Sequence, residues 1–599
     1  MSSLRYITVV PAIRTIPGVE CFDYAVDAES ISIASDIVEE APNIERPMVR
    51  IGDILRVPFR NRSLPALVIN TAETSPFAAR AIVIETPEPL LHLGADFVEL
   101  LKLAARHSFT SQPSVLASWI KALPKKLKTT DERPETTARQ SSFPIREERL
   151  LLDRWYDPRG LLAEAKRHSR GPLILTPWQY RAQELGALLG LNVLTSDTAA
   201  GKGWKMIQAF KDEGTPLVTT RVGAWLSCFA ESIIVDEPEN DDHKQDELSP
   251  RLDARWVVES CAKLRPQISV ISFGTTQRIG ESSIIMPDIE LTMTEEPWTK
   301  RASAEVETLS PQSIQLAEEQ LEKQLPVFII HPIKGERTRI SCRDCGWTAK
   351  CSFCNFPLSP NGSTGICKRC ARKGVAPDTC PTCGGFDFSR GMPGKDRLAM
   401  QAKKHFNSEL VSVIDLMELD ALALAKKLPP ESLLLITDLS LFGGATEDIR
   451  RKERILITWR RIASYAAITN SHVHVQGPDD LISTCRSWLS AEGVKATWEL
   501  ELGERRSFGY PPAVSFVKLL IDGAEQDAQT LVQDLTAAIP SDWAARGPYS
   551  VPFRSWTRKP RFAVHLVAPT LVEEEQLMKL LEPFKKRALI DLDPIAFFS

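Results

Sequence analysis

Short apolar runs separated by turn residues open the chain: Arg5 to Val10, Phe22 to Val26, Asp53 to Pro58 and Ala66 to Asn70. Runs of this length and alternation predict strands, so the first segment reads as a small β-rich domain. From Leu90 to Ala105 the apolar positions change to helical spacing. Residues 121–147 then turn rich in Lys, Thr, Glu and Pro, with little to bury, and predict a linker. Between Leu150 and Pro287 the runs Leu173–Leu175, Pro216–Thr219, Ile233–Val235 and Ser269–Ser272 alternate with helical segments, the pattern of a parallel α/β sheet. A second such stretch begins at Val327–Ile330, is interrupted, and resumes through Val411–Ile414, Leu433–Ile436 and Ala467–Val475. Strand-like Val514–Ile521 and Phe562–Val567, with amphipathic segments near 528–538 and 572–581, predict an α+β terminal domain. The domain boundaries expected from this pattern are 1–110, a linker at 111–148, a first α/β lobe at 149–290, a second at 300–337 and 388–480, an insertion at 338–387, and a terminal domain at 495–599.

The interruption is a cysteine framework. Eight of the twelve cysteines form four C-x-x-C pairs: Cys342/Cys345, Cys351/Cys354, Cys367/Cys370 and Cys380/Cys383. Each spacing lets two thiolates reach one ion from a single turn, so four pairs make two four-sulfur sites of the kind zinc favours. Four sulfurs per ion leave no open position for water or substrate, which predicts structural rather than catalytic zinc. The other cysteines, Cys21, Cys228, Cys261 and Cys485, are scattered, and the opening MSSLRYITVV has no charged-then-apolar leader. A reducing, cytoplasmic setting is therefore expected in preference to a disulfide set. Asn361-Gly362 and Gly365 suit a hairpin between the inner pairs, which would place Cys351, Cys354, Cys367 and Cys370 on one ion and Cys342, Cys345, Cys380 and Cys383 on the other. Spacing alone leaves the sequential pairing open.

Charge adds little direction. The formal net charge of −4 over 599 residues hides a patchwork in which Lys125–Lys128, Arg450–Lys452 and Arg558–Arg561 alternate with acidic stretches such as Asp236–Glu247. Runs of this kind are ordinarily solvated faces, so net charge gives no push towards nucleic acid. No run approaches eighteen apolar residues, so no membrane-spanning helix is expected.

Two α/β lobes carrying a two-zinc insertion resemble the bacterial replication-restart helicases, the primosomal protein N′ or PriA family. The resemblance rests on CRDCGWTAKCSFC, CKRC and CPTCGG in the insertion, GMPGKDRLAMQ after it, ELGERRSFGYPP at 501–512 and the tail IDLDPI. Phe22-Asp23-Tyr24 and Val57-Pro58-Phe59 are similar to the motifs of that family's domain for the 3′ end of a nascent strand. The resemblance implies a 3′-end DNA-binding domain, two RecA-like lobes, nested zinc pairing and a terminal domain. It also implies DNA contacts from Phe22, Asp23 and Arg80, and work alongside other primosome proteins, single-stranded DNA-binding protein and the helicase-loading machinery.

The departures fall on phosphate chemistry. A P-loop needs G-x-x-x-x-G-K-[ST] to cradle phosphates and hold magnesium, whereas the corresponding place reads Trp155 to Leu161, without it. Ile233–Glu237 keeps an echo of the magnesium-binding strand, but Pro238-Glu239 follows. Arg460–Ala467 stands where the family's arginine-bearing Q-V-A-G-R-A-G-R is expected. The winged-helix domain expected after the first domain is replaced by the linker. The chain resembles a shortened, actinobacterial-type member with degenerate helicase motifs, and no catalytic residue is assigned. The reading is a fork-binding assembly protein with two zinc ions, no ATP chemistry and no membrane; the alternatives are a divergent ATP-dependent 3′-to-5′ helicase and a zinc-stabilised scaffold without a DNA role.

Overall fold

The computed structural model describes residues 4–14, 20–27, 49–60, 62–85, 87, 89–120, 146–148, 162, 171–246, 249–274, 276, 279, 288–297, 308–333, 340–342, 345, 347–352, 356–361, 364–367, 372–375, 377–389, 394–444, 448–551, 559–595 and 597. The chain forms two compact units, one of residues 1–148, 159–273 and 573–592, the other of 149–158, 274–572 and 593–599. Most of the tract at 121–147 and the segment Trp155–Leu161 lie outside the described residues.

The first unit begins with strands β1 (Leu4–Pro11), β2 (Phe22–Asp27), β3 (Asp53–Phe59), β4 (Arg62–Ala72), β5 (Ile82–Ile84) and β6 (Pro89–His92). They form one sheet in the order β5-β2-β1-β4-β3-β6, antiparallel but for the β2/β5 pair. Alternation sends Ile7, Val9, Tyr24, Val26, Leu55 and Val57 into one apolar cluster, while Val10, Ile54 and Leu67 join a larger core. Helices α1 (Gly94–His107) and α2 (Gln112–Trp119) enter that larger core. Gly52, at φ +91°, lets its backbone lie against Gly94; a β-carbon there would stand 2.5 Å from the Gly94 nitrogen. The helical pattern that begins at Leu90 in the sequence becomes helix only after this close approach, and Leu90 itself is in β6. Ser111 caps α2 and Pro113 occupies its first turn, so a stretch assigned to the linker is helical, with Val115, Leu116 and Trp119 buried.

The same unit holds strands β7 (Arg146–Glu148), β8 (Leu173–Leu175), β9 (Asn192–Leu194), β10 (Leu217–Thr219), β11 (Ser232–Asp236) and β12 (Ser269–Phe273), with helices α3 (Gln179–Leu189), α4 (Ala200–Gln208) and α5 (Ala254–Leu264). The strands are all parallel, in the order β7-β12-β11-β8-β10-β9. Every residue of β8, β10 and β11 is buried, which is why their sequences are continuous apolar runs. Phe97 of α1 meets Trp119 at 5.8 Å and Trp225 at 5.5 Å between ring centroids, so the N-terminal helices and the parallel sheet share one core.

In the second unit, β13 (Thr292–Pro297), β14 (Val327–Ile330), β20 (Val411–Ile414), β21 (Leu433–Ile436) and β22 (His472–Gly477) form another parallel sheet, ordered β13-β22-β21-β14-β20. Helices α6 (Pro311–Glu322), α7 (Lys395–Phe406), α8 (Leu416–Leu424) and α9 (Arg451–Ile468) accompany it. The apolar run read as a strand from Ala467 instead finishes α9; Asn470, at φ +50°, turns the chain and the strand starts at His472. Between β14 and α7 the cysteine segment supplies β15 (Ser341–Cys342), β16 (Leu358–Asn361), β17 (Thr364–Cys367), β18 (Lys373–Val375) and β19 (Phe388–Ser389). Pairing of β15 with β19 closes its two ends, and the Lys395 N–H then bonds the Ile333 carbonyl at 2.8 Å, returning the chain to where it left β14. Helices α10 (Ala491–Phe508) and α11 (Glu525–Ala538), with the antiparallel strands β23 (Phe516–Asp522), β24 (Ala544–Val551) and β25 (Arg561–Val567), follow. Among the described residues no helix is long and apolar enough to cross a membrane.

Candidate metal centre and nucleic-acid interface

The four cysteine pairs share one local device. The N–H of the first cysteine in each pair bonds the carbonyl five residues on: Cys342 to Trp347 (2.7 Å), Cys351 to Phe356 (2.8 Å), Cys367 to Arg372 (2.9 Å) and Cys380 to Gly385 (2.8 Å). Each loop is thereby closed around its C-x-x-C. The structure brings Cys342, Cys345, Cys380 and Cys383 together, with all four sulfurs within 4.8 Å of one another. Cys342 to Cys383 is 3.6 Å and Cys345 to Cys380 is 3.5 Å. Tetrahedral zinc with bonds of about 2.3 Å sets its sulfurs about 3.8 Å apart, so this donor set fits zinc. Burial works against ionising Cys380, but the backbone N–H groups of Cys383 and Thr382 and the Cys345 and Cys342 thiols outweigh it and hold that thiol down at about 6.

Of the inner pairs, Cys351 and Cys367 are buried with Ile340, Ala349 and Leu358, against which Trp347 and Phe388 pack. Cys354 and Cys370 lie outside the described residues. Gly374 leaves room for Leu358; a β-carbon there would fall 2.5 Å from its Cδ1. Trp347 meets Phe388 edge-on at 6.4 Å, so this aromatic belongs to the packing of the module.

The N-terminal residues gather at one end of their sheet. Phe22 packs edge-on against Phe59 at 5.1 Å, and the Arg60 guanidinium lies 5.8 Å from the centre of the Phe59 ring. Asp23, one residue on, points to the opposite face of β2. There it accepts from the Thr8 hydroxyl at 2.8 Å on one oxygen and from the Ser75 hydroxyl on the other. The Tyr24 hydroxyl donates to the Pro58 carbonyl at 2.7 Å. Arg80 is exposed, two residues before Ile82, which is in register with Tyr24. The partly buried Phe22, the exposed Arg60 and Arg80, and the 61% exposed Phe77 thus offer aromatic faces and cations on neighbouring strand ends.

The residues at the positions compared above with phosphate motifs are turned inward. At the end of β11, Asp236 receives a bidentate pair from Arg181 of α3, Nε to Oδ2 at 2.7 Å and Nη2 to Oδ1 at 2.8 Å, with both side chains almost fully buried. Glu237, at φ +50°, accepts from Asn240 Nδ2 at 2.8 Å. His243 bonds the Asp236 carbonyl through Nε2, and burial, then the Arg255 charge, lowers it to about 4. In α9, Arg460 donates to the Trp488 and Leu489 carbonyls, and Arg461 lies 3.6 Å from Asp420. Arg505 of the 501–512 motif donates to Glu501, Glu453 and the Pro511 carbonyl from a 3% exposed site, which makes it a brace for α10.

Arg181 was invisible in the sequence as a partner of Asp236: it stands 55 residues away, and no spacing rule links one helix face to the end of a neighbouring strand. Asp591 of the terminal IDLDPI is another, accepting from Lys244 at 2.6 Å and Arg251 at 3.1 Å in the first unit.

These features define a multidomain α/β protein with two parallel sheets and a cysteine-rich insertion whose outer pairs form a donor set that fits a metal ion. No family model matches the chain. It is 23% identical to replication restart protein PriA of Thermotoga maritima over 278 residues, 42% of this chain and 36% of that protein. It is also 23% identical to replication restart protein PriA of Treponema pallidum over 301 residues, 44% of this chain and 45% of that protein. The relationship of the chain is thus PriA-like, and the matches span less than half the length of these curated relatives.

Proposed function

We propose that the chain is a replication-restart protein that recognises and binds abandoned or stalled forks and promotes reloading of the replicative helicase without unwinding DNA itself. The restart role is supported by the similarity to two proteins named replication restart protein PriA. The single observation that carries the non-catalytic part is the Arg181–Asp236 pair. A carboxylate that holds the magnesium ion of phosphoryl transfer must offer it an oxygen; here both oxygens bond a buried guanidinium, and freeing them would leave an uncompensated charge in the core.

The DNA contacts proposed are Phe22, Asp23 and Arg80, with aromatic faces for bases and cations for phosphates. Asp23 already accepts from two hydroxyls, one on each oxygen, which fixes the end of β2 and leaves the second lone pair of each oxygen as the acceptor for a terminal nucleotide. Two zinc ions are proposed, on Cys342, Cys345, Cys380 and Cys383 and on Cys351, Cys354, Cys367 and Cys370. The second is supported by the identical closing bonds of all four loops and by the shared burial of Cys351 and Cys367. Bound zinc supplies the cation that lets four thiolates sit together; the protein's own part is to close the insertion through β15 and β19. Partners are DNA with a 3′ end, single-stranded DNA-binding protein and the helicase-loading machinery, in the cytoplasm.

The test is nucleotide binding and ATP hydrolysis by purified protein, with and without forked DNA, alongside fork binding by anisotropy. Tight fork binding with no nucleotide binding is expected. ATP hydrolysis abolished by Asp236→Asn would establish the divergent-helicase reading instead, and absence of DNA binding would establish the scaffold.

A further inference from the structure

Two buried cysteines outside the metal module face each other. Cys228 sits near the end of the helical turn Arg221–Phe229, and Cys261 on α5; their sulfurs are 3.3 Å apart, and both side chains lie in the core shared with α1. That separation is little more than an ångström beyond a disulfide bond of about 2.05 Å. A second tie joins the same two elements, since Arg265, just after α5, donates to the Cys228 carbonyl and its Nε lies 3.9 Å from Asp96 of α1.

We infer that Cys228 and Cys261 form a dithiol that peroxide closes to a disulfide, locking the Arg221–Phe229 turn to α5. The Cys228 sulfur attacks a peroxide oxygen, giving a sulfenic acid and one molecule of water from hydrogen peroxide. The Cys261 sulfur then attacks the Cys228 sulfur, the S–O bond breaks, and the hydroxyl leaves as a second water with the Cys261 proton. Two thiols are oxidised and one peroxide reduced, and no cofactor is needed. The order follows from access: Cys228 is 5% exposed and Cys261 0%, and the hydrogen bond to Cys228 and burial push the Cys261 thiol well above its usual range, which suits it to the second step. Such a cross-link ties together two elements of the unit that carries the N-terminal sheet, and makes that unit harder to open under oxidising conditions.

Native zinc-loaded protein treated with hydrogen peroxide, quenched, alkylated under denaturing conditions and digested should yield a peptide pair joined through Cys228 and Cys261, two hydrogens lighter than the free thiols. Dithiothreitol should separate it. Because peroxide also attacks zinc thiolates, the thermal readout is the difference between proteins: treated wild type should melt above treated Cys228→Ser, whereas the untreated proteins differ less. Recovery of Cys228 and Cys261 as separately alkylated thiols after treatment overturns the inference. So does a joined peptide formed only when peroxide is added in denaturant, or an equal response of wild type and Cys228→Ser.

Discussion

The end of β11 and the outer cysteine cluster solve one electrostatic problem in opposite ways. At β11 the carboxylate of Asp236 meets a cation that the chain itself carries, and the pair is sealed in the core. In the insertion four thiols converge within 4.8 Å, two of them exposed; as thiolates they repel one another until a cation from outside joins them. The first arrangement is complete on folding, whereas the second has the geometry to take up a cation. A buried charge with an internal partner is therefore a poor candidate for catalysis, and a cluster of like groups at metal distances is a strong one for binding.

The largest test of that contrast is metal removal. Structural zinc in small modules contributes on the order of 10–16 kcal/mol of apparent binding free energy, so Cys380→Ser or strong chelation should melt the insertion while the parallel sheets persist. Metal analysis should find two zinc ions per native chain; one would confine the site to the outer pairs. Limited proteolysis confined to residues 338–387 is the expected signature, and cleavage throughout the chain would show that the lobes depend on the metal.

Next in size is the internal pair. Arg181→Ala should destabilise the first unit by about 3–5 kcal/mol, because it strands a buried carboxylate. The double change Arg181→Met with Asp236→Leu removes both charges and should recover most of that loss in a denaturant titration. A double variant as unstable as the single one would mean that the pair works through shape rather than charge.

Acid should expose a smaller effect of the same physics. His243 in the first unit and His565 in the second are both lowered to about 4, by burial first, with the Arg255 charge adding for His243 and the Lys518 charge opposing protonation of His565. The unfolded chain takes up the proton near 6.5 while the folded chain waits until about 4, so stability is full above 6.5 and lost as pH falls through that window. Each shift corresponds to about 3 kcal/mol. Urea midpoints measured from pH 7 to pH 4 should fall, and His243→Gln should flatten the slope for the first unit; an unchanged slope would assign the acid sensitivity elsewhere.

The smallest predicted effect is at the N-terminal sheet. Phe22→Ala should weaken binding to forks with a 3′ end by about 1–3 kcal/mol, the worth of one stacked base, and binding to blunt duplex much less. Affinity should fall steeply with salt, with a shallower slope for Arg80→Ala. Equal losses on both DNAs would place Phe22 in the core with Phe59.

The parallel strands were legible because both of their faces are buried. Runs such as Ile233–Val235 and Leu433–Ile436 are apolar at every position, and only a strand buried on both faces uses such a run in an alternating α/β pattern. Close approach was not legible. The start of α1 depends on Gly52 meeting Gly94, and the helix at 112–119 depends on a core that also holds Phe97 and Trp225, partners far along the chain. Phe22 and Asp23 read as a pair because they are adjacent, yet the pleat sends them to opposite faces.

Local spacing alone determined the cysteine framework, since two thiolates three residues apart can meet an ion wherever a turn places them. The sequence likewise set the order of α/β elements and the lack of a P-loop pattern. Only the tertiary structure decided which cysteine pairs converge, that Asp236 is closed by Arg181, and that Arg460, Arg461 and Arg505 face inward. The physical reason is range: backbone turns and side-chain periodicity act over a few residues, whereas the partner of a buried charge is set by which surfaces pack, and packing joins residues without regard to their distance along the chain.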